Sequence, residues 1–469
     1  MQPFGQNLPC QNDTHQHDSQ TYFNSLLSTI MGKKVGIDFN GGNLTSDAGV
    51  LLLGEIARYS KIIEKIAMCI SDTRRKYSIR HSIANLLTQR VLQICCGYPD
   101  ANDANAMRTD PALKMAVNRL PDEGENLASQ PTLSRIENTI TAKELIKIAR
   151  AFIDHFIQSF PKPPAVIVLD FDDTADQVHG KQQLSLFNAY HNGYCFLPIH
   201  VYDGITGKLI TTILRPGRRP CGKEISAYLK RIVGQLRKHW PDTKIYFRGD
   251  GHYSAPEVFD FIAAQDNMVS ITGLNTNSRL KGIVKPIVEQ VEDKNPGTKR
   301  YHSFLYKADS WKEHRRVIAK IEITETGGLN VRFISTDIQN QGAKFLYEII
   351  YCDRGNAELY IKDHKTYTTS DRTSCHKFTA NQFRLFLHSA AYVLLHTMRS
   401  EYLGETELAN ATFDTIRLKL LKVGARVVEL KTKIRVHLAS SYPFQTAFIN
   451  VLNACNQLHR PIVSITARC

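Results

Sequence analysis

The stretch AVIVLDFDDT, residues 165–174, is an unbroken apolar run that ends in three carboxylates. Such a run reads as a strand buried on both faces, and the acids at its C-terminal end mark where it opens into a site. Asp170 and Asp172 lie two residues apart and share a face, whereas Asp173 points to the other side.

The segments that follow extend this strand into a sheet. YCFLPIHVYD (194–203) and KLITTILRPG (208–217), separated by GITG, predict two more strands joined by a hairpin turn. KEISAYLKRIVGQLRKHW (223–240) has an amphipathic helical pattern, and KIYFRGDG (244–251) reads as a strand. APEVFDFIAAQ (255–265) reads as a helix and MVSITGL (268–274) as another strand. Three meandering strands followed by helix, strand, helix, strand predict an α/β fold with a ribonuclease H-like mixed sheet flanked by helices.

FPKPP (160–164) separates this core from a mostly helical N-terminal region over 31–160, preceded by a polar tail over 1–30 that includes His15 and His17. Within the helical region, SIRHSIANLLTQRVLQICC (78–96) has helical apolar spacing around Arg80, His81, Gln89 and Arg90. QPTLSRIENTI (130–140) opens as a capped helix does. It reads equally well as a DNA-contacting turn or as plain scaffold. The first part of the core spans 161–275. A β-rich insertion over 276–342 follows, in which RRVIAKIEITE turns through TGG into LNVRFISTD and sets Val317, Ala319, Ile321 and Ile323 on one face. The core resumes over 343–402 with two helices, and 403–469 forms a C-terminal region.

The chain has 469 residues, 42% hydrophobic and 22% charged, with a formal net charge of +14. That composition is globular, and the excess of cations points to nucleic acid as partner. No apolar run of spanning length and no signal-peptide pattern is present in it, so a cytoplasmic, nucleoid-associated protein without membrane contact is expected. The ten cysteines are scattered without a CxxC pair, the usage of a reducing compartment.

A second acidic element lies in YCDRGNAELYIKD (351–363). At ~100° per residue, Tyr351, Arg354, Glu358 and Lys365 fall within a stripe about 60° wide. An Arg and a Glu four apart are common on solvated helices and contribute only about 0.2–0.5 kcal/mol, so the stripe acquires meaning only from its surroundings. Those are one acid from the first strand (Asp170, Asp172 or Asp173) and Asp250 at the end of the fourth. Neighbouring strands would bring the two together, with Glu358 crossing over them. Converged carboxylates repel unless a cation lies among them, and Mg2+ binds carboxylates together with water and phosphate oxygens. Two such ions support in-line phosphoryl displacement. Arg354 and Lys365 would then hold substrate phosphates, with Tyr351 beside them.

The pattern Tyr351, Arg354, Glu358, Lys365 resembles the Tyr-x-x-Arg-x-x-x-Glu-x-x-x-x-x-x-Lys helix of DDE transposases of bacterial insertion sequences, specifically a cut-and-paste group. FRGDGHY (247–253) is similar to that family's segment around its second Asp, and LDFDDT (169–174) to its first. The resemblance spans about 165–400 and includes the β insertion. It implies Asp172, Asp250 and Glu358 as catalytic residues and metal ligands. Asp172 is preferred because Asp-x-Thr at a strand end fits the commoner family pattern, with Asp170 as the alternative first acid. It further implies two Mg2+ ions, with Mn2+ able to substitute, and binding of terminal inverted repeats and target DNA as a homodimer. Trp311, on the insertion, would be a base-stacking candidate, although a core position closing the insertion's own sheet is the better reading. On the loop RPGRRP, Arg215, Arg218 and Arg219 could follow the DNA backbone, as could Lys230, Arg231, Arg237 and Lys238 on the helix after it.

Two other readings compete. VLDFDDT also fits haloacid dehalogenase-like phosphatases, with Asp170 as nucleophile and Asp172 as acid. That fold surrounds its first strand with helical crossovers, however, and here a hairpin follows. A non-catalytic DNA-binding regulator would account for the charge but not for the acids.

Overall fold

The computed structural model describes residues 23–24, 28–291 and 294–458. The polar tail with His15 and His17 lies outside them. The centre of the molecule is an eight-stranded sheet made of β1 (Val166–Asp173), β2 (Ile199–Asp203), β3 (Leu209–Ile213), β4 (Lys244–Gly249), β5 (Met268–Leu274), β6 (Lys299–Tyr306), β7 (Arg315–Ile323) and β8 (Leu329–Thr336). Their order across the sheet is β6-β7-β8-β5-β4-β1-β2-β3. β4 runs parallel to β1 and β5, while β2 runs antiparallel to β1. The expected mixed sheet is thus present, flanked by helices, with the acidic ends of β1 and β4 side by side at its middle.

Alternation along β1 explains its two buried faces. Ile167, Leu169 and Phe171 pack with Ile225, Leu229 and Val258 of helices Gly222–His239 and Pro256–Ala263. Asp170 lies on the opposite face, opposite Tyr202 in the β2 register, and Tyr202 packs against Tyr360 and Tyr392. Tyr360 and Tyr392 belong to the helical run that starts at Ala343 and to the long helix Phe378–Thr397. That long helix is buried on every side, its polar Asn381, Gln382, Arg384, His388, Ser389 and His396 included. It joins the helices Val50–Ser60 and Ile83–Cys95 and the C-terminal Phe448 and Val451 in one core.

Two predicted elements come out differently. YCFLPIHVYD is not one strand. Pro198 interrupts it, so Gly193–Phe196 pairs in a separate three-stranded sheet with Asp176–Gln177 and Leu186–Asn188, and only Ile199–Asp203 enters the main sheet. A proline has no N–H to contribute to a central ladder. The insertion's hairpin forms in the expected register, with Ile323 opposite Leu329, but it is not a detached unit: β8 pairs with β5, which continues the main sheet. Strand β6 and helix Ser278–Val291 complete the insertion.

Arg90 is buried and pairs with Glu137 at 3.2 Å. Arg215 is likewise buried, with a two-pronged bond to Glu224 at 2.8 Å on each side. Arg237 bonds the carbonyl oxygens of Trp240 and Asp266. All three cations are structural. Trp311 is 6% exposed, with Phe259 and Tyr306 edge-on to it at 5.3 and 5.6 Å. The insertion shares its core with Phe259 of helix Pro256–Ala263, and Trp311 closes that core.

Two stability predictions follow from these burials. Asp170 is fully buried and is gripped by Arg248 through bonds of 2.5 and 2.6 Å. Asp170→Ala strands that guanidinium and should lower the unfolding free energy by about 3–5 kcal/mol, measured by urea denaturation. His396 is buried against Tyr392, and burial pushes its imidazole down to about 3. In the unfolded chain it takes a proton near the ordinary value, so it withdraws stability as pH falls below about 6.5, by about 1.4 kcal/mol per unit until its folded value is reached. His396→Phe keeps the ring contact, and its stability relative to the parent should rise by that increment when denaturation is repeated from pH 7 down to pH 5.

Candidate active site

The site is built from the ends of three parallel strands and one helical run lying across them. Gly249 of β4 pairs with Phe171 of β1, so the next residue along each strand sets Asp250 beside Asp172. The chain then turns sharply: Asp250 accepts a bond from the His252 backbone N–H at 2.8 Å and caps the turn Gly251–Tyr253. Gly273 of β5 allows this turn to approach. A Cβ there would lie 2.8 Å from the Gly251 nitrogen and 2.7 Å from the Tyr351 hydroxyl oxygen.

The helical run from Ala343 to Tyr367 is interrupted by wide turns at Leu346–Tyr351 and Asp363–Tyr367. Such turns concentrate at functional sites because they re-aim side chains. Here Tyr351 faces the end of β5, Arg354 reaches the end of β1, and Lys365 reaches the chain just beyond β1. Arg354 Nη1 donates to Asp172 Oδ2 at 3.0 Å, and its Nη2 donates to Glu358 Oε1 at 3.1 Å. One guanidinium therefore joins two carboxylates 186 residues apart in sequence, with Asp250 contributing to the field on it. Lys365 Nζ donates to Thr174 Oγ1 at 3.2 Å and to the Ala175 carbonyl, and lies 3.8 Å from Asp176. Both cations expected to meet phosphates are held by the chain's own oxygens.

Electrostatics at β1 follow from this crowding. Burial pushes the Asp172 carboxyl up to about 7; the Arg354 charge opposes the shift, while the anions Asp250 and Asp173 add to it. Arg354 is buried enough to disfavour its charge, but Asp172, Tyr351, Asp250 and Glu358 more than offset that and raise it. His252, to which the sequence assigned no role, stands 3.6 Å from Asp173 and 3.7 Å from Asp250. Its hydrogen bond to Asp173 raises its imidazole above the ordinary range against the effect of burial.

Asp170 has a different place. Both its oxygens are bonded to Arg248, whose remaining terminal nitrogen donates to the Ile350 carbonyl and to Asp353 at 3.0 Å. The pair ties β1 and β4 to the helical run and leaves no carboxylate oxygen free for attack. Arg248 and Asp353 could not be singled out in sequence, because neither spacing nor composition distinguishes a buried clamp from a surface pair. Arg218 and Arg219 are exposed, and Arg219 donates to the Gly251 carbonyl at 3.3 Å, which puts this loop next to Asp250.

Among the described residues, no three His, Cys, Asp or Glu side chains are grouped closely enough to hold a metal ion. The expected convergence of three acids is therefore not preformed: Glu358, with its side chain 65% exposed, reaches Asp172 only through Arg354. The physical reason is repulsion. Asp172 and Asp250 need a positive neighbour, and Arg354 provides it. The donor chemistry still suits a hard divalent cation, since Asp172, Asp250 and Glu358 offer carboxylate oxygens around one positive centre.

A solved structure of a piggyBac transposase synaptic complex with hairpin DNA is 11% identical, covers 90% of this chain and 87% of its own, and has a TM-score of 0.41. No curated protein gives a match. The model of the family described as transposase DDE domain group 1 matches residues 27–460, nearly the whole length, and the chain belongs to that family of transposases.

Proposed function

We propose that this transposase binds the terminal inverted repeats of an insertion sequence and catalyses metal-dependent DNA cleavage and strand transfer, with Asp172, Asp250 and Glu358 as its acids. The strand order β3-β2-β1-β4-β5 supports reading the core as ribonuclease H-like, with the insertion lengthening its far edge. The observation that carries the proposal is the Arg354 bridge, because it brings the helix Glu to the strand-end Asp beside Asp250.

Asp172, Asp250 and Glu358 would hold two Mg2+ ions, which supply Lewis acidity and an activated water or hydroxyl when bound. The chain's own part is positional. Asp172 and Asp250 are aimed by adjacent parallel strands, and Arg354 is the cation beside them that would meet the anionic backbone of DNA. Lys365 anchors Thr174 and Ala175 and so fixes the β1 exit. Tyr351 is wedged above Gly273, where it supports the Asp250 turn. Arg218 and Arg219 line the approach. Two copies acting together on the two ends of one element remain part of the proposal. The phosphatase reading fails on Asp170, whose two oxygens are engaged by Arg248. A purely regulatory DNA binder leaves the clustered acids without a purpose.

Cleavage of a duplex bearing the element's end should fall by at least about a hundredfold in Asp172→Asn, Asp250→Asn and Glu358→Gln, since outer-shell changes at metal sites already cost about 10–100-fold and these alter the ligands themselves. Gel-shift affinity for the same duplex should stay within about twofold in all three, as none of them removes a phosphate-binding cation. Full cleavage by Glu358→Gln would sink the assignment. Titration calorimetry with Mg2+ and no DNA should give binding that Asp172→Asn abolishes. Parent binding should also strengthen as pH rises toward about 7, because the cation must displace the proton that burial holds on Asp172.

A further inference from the structure

The small sheet between β1 and β2 has no part in the scheme above, yet it is built unlike ordinary surface. Phe187, Tyr190 and Tyr194 are 57%, 91% and 57% exposed, on a hairpin whose tip is shaped by Asn188. The Asn188 side chain accepts bonds from the backbone N–H groups of Tyr190 and His191 at 3.0 and 3.4 Å, and Asn192 takes a left-handed turn at φ 48°. Phe187 and Tyr194 are cross-strand partners with rings edge-to-face at 5.7 Å. The tip is therefore ordered, and its rings are presented to solvent.

Its place matters as much. The sheet begins four residues after Asp172. Asn188 donates to the Gly217 carbonyl at 3.0 Å, and a Cβ on Gly217 would fall 2.2 Å from the Cys195 oxygen, so hairpin and arginine loop pack backbone to backbone. That loop continues into Arg218 and Arg219, and Arg219 bonds the turn after Asp250. Residues 177–202 contain no Asp or Glu, while Lys181, His179 and His191 lie among them. Exposed rings, neighbouring cations and a lack of anions are complementary to a polyanion with exposed ring faces. Duplex DNA hides those faces in its stack, and an unpaired strand displays them.

We propose that the 186–194 hairpin is a stacking platform for unpaired bases of a DNA strand, with Arg218 and Arg219 holding the adjoining phosphates. The proposal rests on the acids beside it cutting DNA, since cutting is what brings unwound ends there. The test is fluorescence anisotropy with the full chain, without metal, on an oligo-dT of about 16 nucleotides and on a blunt duplex. The double change Tyr190→Ala and Tyr194→Ala should weaken oligo-dT binding about tenfold with an unchanged salt slope, and duplex binding by less than about twofold. Tyr190→Phe with Tyr194→Phe keeps the rings and should bind as the parent does.

Each contrary result overturns the platform. Unchanged oligo-dT binding in the alanine variant does so, as does an equal loss on duplex, which would mark a backbone site. A loss shared by the phenylalanine variant would show that the rings are not what binds. A shift in oligomeric state by size-exclusion chromatography would assign the patch to a second copy of the chain. A parent protein that binds neither DNA removes the transposase activity as well, which separates that failure from failure of the platform alone.

Discussion

Carboxylates at the ends of adjacent parallel strands cannot stay ionised side by side in a half-buried place without positive charge between them, and in this chain that charge is the Arg354 guanidinium. It bonds Asp172 on one prong and Glu358 on the other, with Asp250 nearby. The path of the helical run across the sheet and the wide turns within it deliver this one group, and Gly273 leaves room for Tyr351 and the Gly251 turn. A cation that already fills the gap keeps Asp172 and Glu358 aligned.

A second charged pair, almost identical in chemistry, does something quite different one turn of the pleat away. Asp170 and Arg248 are paired in the interior, both nearly inaccessible, and tie β1, β4 and the helical run into one block. Removing either partner would strand a buried charge. Burial and partner separate the two aspartates: Asp170 is fully enclosed with both oxygens on Arg248, whereas Asp172, bonded by Arg354 and by the Asp173 N–H, is 8% exposed and holds a proton up to about 7. The same logic explains why only some of the many cations are available to an anionic ligand. Arg90, Arg215 and Arg237 are structural, and Arg218 and Arg219 are exposed.

The aromatic side chains divide in the same way. Trp311 stands out in sequence as one of two tryptophans, but the insertion needs a large ring to close against Phe259 and Tyr306. Phe187, Tyr190 and Tyr194 face solvent on a hairpin whose second strand the sequence merged with β2 into one apparent strand. Pro198 is the cue: it ends one ladder and lets the next begin in a different sheet.

By itself the sequence determined the elements of the main sheet except the edge strand β6, because buried strands and amphipathic helices write their periods locally, and it singled out Asp172, Asp250, Arg354 and Glu358 through a motif whose spacing is a property of one helix and two strand ends. It also located the hairpin β7-β8 from the alternation of Val317, Ala319, Ile321 and Ile323. Only the tertiary structure decided that Asp170 is locked to Arg248, since that depends on Arg248 arriving from a neighbouring strand 78 residues away. It likewise decided that β8 docks on β5, that Trp311 turns inward, and that a guanidinium stands where three acids were expected to meet. Each of these is a choice among partners distant in sequence, settled by burial and charge pairing, and no local pattern records which distant group will come to rest against a given side chain.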